Sequence, residues 1–168
     1  MKPTAKKKPA SRVVSLLSDQ ALSEIESVSI RLESGKVAKF DIAAELAVSN
    51  DPETLHAQSL TAHSRFAFWE YQSARAKREL EAKEVDVARL LGDRRYRYSK
   101  VLKEEDRYVA SATVEGMLDG DSSVLAARIE LNQLREHWSI LRAVAKAHDH
   151  RAHLLRRLLA KDQDATRD

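Results

Sequence analysis

The chain has 168 residues, 33% of them charged and 43% hydrophobic, with only four glycines and three prolines. That is the composition of long helices and coiled coils, so a single all-α domain with short appended segments is expected. The lack of cysteine excludes disulfides and thiolate sites, and no apolar run approaches a membrane span of ~20 residues or follows the basic start as in a signal peptide. A soluble, cytoplasmic protein is therefore expected.

Twenty-nine basic against 26 acidic residues give +3, but Lys2, Lys6, Lys7, Lys8 and Arg12 fall in a stretch without acids, leaving 24 basic against 26 acidic, or −2, elsewhere. Residues 1–14 are expected to form a disordered basic tail open to a polyanion. Residues 15–50 are read as a small helical segment. Its helix starts near Ser18 or Asp19 and carries Leu22, Ile25, Val28, Ile30 and Leu32 before Gly35, with a connection around Phe40 and Ile42. Residues 51–162 form the main helical domain, and 163–168 a disordered end. In Ser49-Asn50-Asp51-Pro52-Glu53, Asp51 can cap a helix, Pro52 needs no N–H at its first position, and Glu53 suits its positive end. From there to Leu91 no proline or glycine intervenes, and Leu55, Ala62, Phe66, Trp69, Ala76, Leu80, Val87 and Leu90 share one stripe. A first long helix over about 51–91, roughly 60 Å at 1.5 Å per residue, is expected to end at Gly92.

A short helix near 104–118 precedes the break at Asp119-Gly120-Asp121, and a second long helix runs over about 122–161. Its seam, from Val124 and Ala127 through Leu131, Leu134, Trp138, Leu141, Ala145, His148, Ala152, Leu155 and Leu159, keeps a 3.5-residue period. A second apolar row of Leu125, Ile129, Ile140, Val144, Ala147, Leu154 and Leu158 lies beside it. Two rows need a wide partner surface, so the expected architecture is a coiled-coil-like hairpin or bundle assembling into a homo-oligomer. Leu131, Leu134, Trp138, Leu141, Ala145, Leu155 and Leu159 are the interface candidates.

His148 and His153 stand about 140° apart on a helix, so AHDHRAH is not expected to hold a metal. No glycine-rich phosphate loop, Ser/His/Asp arrangement or catalytic carboxylate pair is found, and neither enzymatic activity nor a cofactor is expected. The stretch GDRRYRYSK, residues 92–100, interleaves arginine and tyrosine in a chain with 5% aromatic residues. If extended, it places Arg95 and Arg97 on one face and Tyr96 and Tyr98 on the other. Arginines neutralise phosphates and tyrosines stack on unpaired bases, which points to single-stranded DNA. Arg94, Lys100, Lys103 and Arg107 extend the basic set, offset in part by Asp93, Glu104, Glu105 and Asp106. The alternative packs both tyrosines on the helices, leaves the arginines solvated, and makes the protein a scaffolding coiled-coil oligomer.

Several short motifs resemble the UvsY-type phage recombination mediators. They are Asp51 with Leu55, Trp69 eighteen residues after that aspartate, Lys77-Arg78-Glu79-Leu80, Tyr98-Ser99, Asp106-Arg107-Tyr108, Val124-Leu125, the late Trp138, and Arg151 with Leu155. The resemblance spans about residues 51–160. It implies a phage-encoded protein acting in the bacterial cytoplasm as a helical ring of about six to eight subunits. Such a ring binds single-stranded DNA and helps a RecA-type recombinase replace single-strand-binding protein. The family's Lys-Ala-Arg-Leu motif falls at residues 92–95, where only Arg94 matches and Gly92 takes the lysine position, with Arg95, Arg97 and Lys100 as candidates to compensate. Val87-Ala88-Arg89-Leu90 imitates the motif five residues earlier and adds Arg89 to the DNA-binding set. Arg75, Lys77 and Arg78 on the long helix are the second choice.

Overall fold

The computed structural model describes residues 27–32, 34–49, 51–105 and 107–165, with side chains as far as Asp162. The chain divides into two compact units. Among the described residues, one comprises those from Ser27 to Glu70 and from Ala143 onward, and the other those within Tyr71–Arg142.

In the first unit, Ser27-Val28-Ser29-Ile30-Arg31 forms strand β1 (Ser27–Arg31), with Val28 and Ile30 buried and their neighbours exposed. It pairs antiparallel with β2 (Val37–Asp41) in the register Ser27↔Asp41 to Arg31↔Val37. Gly35, at φ 79°, supplies the left-handed turn residue, and the Gly35 N–H donates to the Leu32 carbonyl at 2.9 Å. The helix expected to run to Gly35 is thus corrected over 27–32. Val28, Ile30 and Leu32 recur every second residue, which is the period of a strand. The expected helix start and the basic tail lie outside the described residues.

Asp41 ends β2 and caps helix α1 (Ile42–Leu46), its carboxylate accepting from the Ala44 N–H at 2.9 Å. Helix α2 (Pro52–Glu104) starts as its sequence demands. Asp51 accepts from the Thr54 N–H at 2.9 Å and the Thr54 hydroxyl at 2.6 Å, bonds that hold its carboxyl below the usual carboxylate range. Helix α3 (Ser111–Asp119) and helix α4 (Ser122–Ala165) follow. The all-α class therefore holds, with one small hairpin added. The short intervening helix begins later than expected, because α2 continues to Glu104.

Gly92 does not end α2. A glycine costs a helix interior about 1 kcal/mol relative to alanine. Beyond it the inward row continues as Leu91, Arg94, Tyr98 and Leu102, the last 2% exposed. Polar residues at two positions of that row conceal its continuation in the sequence.

The core of the first unit packs Val48, Leu55, Ala62, Ala152 and Leu155, with Leu154, Leu158 and Leu159 against them. In the same unit Trp69, fully buried, meets Phe40 and Phe68 edge-on and stacks on His148 with centroids 5.8 Å apart. The Trp69 indole N–H donates to Glu45 at 3.1 Å, and Arg65 pairs with the same carboxylate at 3.0 Å. Arg151 donates to the Ala47 carbonyl at 3.2 Å, so side chains from both long helices fasten α1 within this unit. The His148 ring is 1% exposed, and neither nitrogen has a hydrogen-bond partner among the described residues. Burial, with the Arg151 and Arg65 guanidinium groups, pushes its pKa down to about 4. In the second unit Leu80, Val87 and Leu131 form the core, joined by Leu91, Ala127, Leu134 and Trp138.

Candidate nucleic-acid interface

Because residues 92–104 are helical, GDRRYRYSK projects its side chains about 100° apart and not alternately to two faces. The expected separation of arginines from tyrosines is corrected accordingly. Arg94 and Tyr98, four residues apart, both reach Asp121. The Tyr98 hydroxyl donates to Asp121 Oδ2 at 2.5 Å, Arg94 Nε lies 3.2 Å from the same oxygen, and the Arg94 guanidinium donates to Ser123 Oγ at 3.0 Å. The other Asp121 oxygen accepts from the Ser123 N–H at 2.8 Å and hydroxyl at 2.5 Å, capping α4. The Ser123 and Tyr98 hydroxyls hold the Asp121 carboxyl far below the usual range, and the same bond to Asp121 raises the Tyr98 phenol. Arg95 reaches across to Glu115 on α3 at 2.9 Å, an exposed pair that raises the guanidinium further. Arg94, Arg95 and Tyr98 thus tie α2, α3 and the start of α4 together inside the second unit.

The other candidates face solvent. Tyr96 is 72% exposed, and Arg89, Arg97 and Lys103 are exposed and form no ion pair with another described residue. Lys100 stands 3.7 Å from Glu104 and Arg107 3.4 Å from Glu105. These open pairs are worth so little that a phosphate can displace them.

Taken at steps of three and four along α2, Tyr71, Arg75, Arg78, Ala82, Val85, Arg89, Asp93, Tyr96, Lys100 and Lys103 form one outward stripe of the second unit. Arg75 is half-buried and pairs with Glu79 at 3.3 Å; the other positions are exposed. Five cations and two phenols stand on it against one acid, opposite the buried row of Ala76, Leu80, Val87 and Leu102. Sequence reasoning missed Tyr71 and the common face. The signal was present in the three-four spacing of cations on the side away from the apolar stripe.

The seven interface candidates lie inside the chain's own packing. Leu131, Leu134 and Trp138 sit in the core of the second unit, Leu155 and Leu159 in that of the first, and Leu141 and Ala145 are each 2% exposed. From the second row Leu125 and Ile129 remain outside, about half exposed on successive turns of α4. No three His, Asp or Glu side chains among the described residues converge on a metal-sized site, and none of the described helices is long and apolar enough to cross a membrane.

No protein-family model and no curated protein matches the sequence. Among solved structures, the chain is similar to the recombination mediator protein UvsY of bacteriophage T4. The TM-score is 0.60 and the identity 16%, over 76% of this chain and 93% of that one. At that identity the likeness is one of fold.

Proposed function

We propose that the chain is a recombination mediator: it binds single-stranded DNA along the exposed stripe of α2 and helps load a RecA-type recombinase onto strands covered by single-strand-binding protein. The observation that carries this reading is the face shared by Arg89, Tyr96, Lys100 and Lys103. It offers phosphate-neutralising cations around a ring 72% exposed. The UvsY-like fold supports the biological setting. The role is binding and delivery, without catalysis, carried out by a homo-oligomeric ring whose exposed Leu125–Ile129 row is a contact between copies.

Changing Arg89, Lys100 and Lys103 together to alanine is expected to lower the magnitude of the salt slope for a single strand by about 2, at ~0.7 per phosphate contact. Tyr96→Ala is expected to weaken binding at every salt concentration. With single-strand-binding protein present, the wild type shortens the lag before recombinase ATPase begins and the triple variant does not. A triple variant that binds and delivers as well as the wild type sinks the assignment. A second reading, a scaffolding oligomer without a DNA role, is favoured by the intrachain use of Arg94, Arg95 and Tyr98, and it requires the wild type to ignore single strands.

A further inference from the structure

The first unit carries a separate basic face. On α4, Lys146, His150, His153, Arg157 and Lys161 recur at steps of four, three, four and four, and all five are exposed. Their side lies opposite the buried row of Val144, Ala147, Arg151 and Leu155. Asp149, half-buried and 3.6 Å from His153, is the acid beside them. His150, His153, Leu154 and Arg157 line an open groove of about 470 Å³. Two imidazoles, a leucine and one guanidinium thus line the groove, and Lys146 and Lys161 stand on the same side of the helix before and after it.

We infer that this face of α4 is a second contact for a single nucleic-acid strand, with phosphates on Lys146, Arg157 and Lys161 and a base laid against the His150 and His153 rings and Leu154. Cations alone would suit any polyanion. Rings beside an apolar floor favour an unpaired base over an acidic peptide, since imidazole and guanidinium planes stack on the faces of unstacked bases, a contact that a carboxylate side chain, which has no aromatic face, does not make. The spacing supports the same occupant: one cation or ring about every turn follows a repeating chain of alternating charge and base. The inference shares its ligand class with the proposed function and uses none of the α2 residues.

The test titrates the full chain with a fluorescein-labelled oligothymidylate and, separately, with polyglutamate, over a range of salt. Lys146→Gln, Arg157→Gln and Lys161→Gln together are expected to lower the magnitude of the oligonucleotide salt slope by about 2. His150→Ala with His153→Ala is expected to weaken oligonucleotide binding at least fivefold at the highest salt used, and to leave polyglutamate binding unchanged. Both variants change exposed positions, and circular dichroism checks that their helices persist. An unchanged slope in the first variant, or neutrality of the histidine pair, overturns the inference. So does polyglutamate binding that the cation changes weaken as much as they weaken DNA while the histidine pair is silent, which would make the face a site for acidic peptides. If these variants are neutral while the Arg89, Lys100 and Lys103 variant loses binding, the second contact fails and the proposed function stands. The reverse pattern moves the strand to α4, and a wild type blind to the oligonucleotide refutes both.

Discussion

His148 shows how one residue's surroundings set its chemistry. An imidazole stacked on Trp69 and 1% exposed cannot easily gain a proton, because the charged form would lose its water and meet the Arg151 and Arg65 guanidinium groups. Glu45 Oε2 lies 3.4 Å from its Nε2, but that carboxylate already serves Arg65 and the Trp69 indole. The folded-state pKa of about 4 lies below the ordinary 6.5 of the unfolded chain. Between those values the unfolded state binds the extra proton, so stability falls as pH drops from about 6.5 to about 4 and then levels off for this group. The loss over the window is of order 3 kcal/mol. Denaturant titrations at several pH values are expected to show that decline, and His148→Gln is expected to flatten it. A wild type equally stable at both ends of the window contradicts the assignment. Asp121 makes the converse point: its bonds to Ser123 and Tyr98 favour the charged form, and sequence alone offered it only as part of a turn.

At the level of elements, the decisive matter is the passage of α2 through Gly92. A Cβ built on Gly92 would meet nothing within 4 Å, and its backbone φ lies outside the left-handed region. Gly92→Ala is therefore expected to stabilise the protein by about 0.5–1 kcal/mol, through helix propensity and a less disordered unfolded chain. Thermal denaturation reads this as a Tm higher by about 2 °C. A Tm lowered by the alanine would mean that the chain turns at Gly92, and the outward stripe of α2 would lose its geometry. The start of α2 was legible, since Asp51, Pro52 and Glu53 signal a helix start within one short stretch, and Asp51 caps it there by accepting from Thr54. The hairpin was also legible, because Val28, Ile30 and Leu32 alternate, but a helical period was imposed on that stretch. The end of α2 was not legible, because Arg94 and Tyr98 occupy inward positions that only the distant Asp121 makes favourable.

For the molecule as a whole, the seam of α4 and its outer row predict opposite outcomes on substitution. Leu141 is 2% exposed within the chain, so Leu141→Lys buries an unpaired charge in the subunit's own core and is expected to cost about 3 kcal/mol or more, seen as partial unfolding. Leu125→Lys with Ile129→Lys alters two half-exposed side chains, and is expected to leave helicity intact while lowering the sedimentation coefficient of the proposed assembly. If the outer pair unfolds the subunit and Leu141→Lys leaves it folded, the two roles have been exchanged. The sequence by itself determined the all-α class, the starts of both long helices and the two apolar rows, because caps and helical periods depend on residues within a few turns of one another. Only the tertiary structure decided which row is satisfied inside the chain, that Arg94, Arg95 and Tyr98 bind their own fold, and that Arg89, Tyr96, Lys100 and Lys103 face outward together. Those outcomes depend on partners far away in sequence, such as Asp121 for Tyr98 and Glu115 for Arg95. Whether a cation or a phenol remains free to meet a ligand is settled by whether such a partner stands within hydrogen-bonding reach.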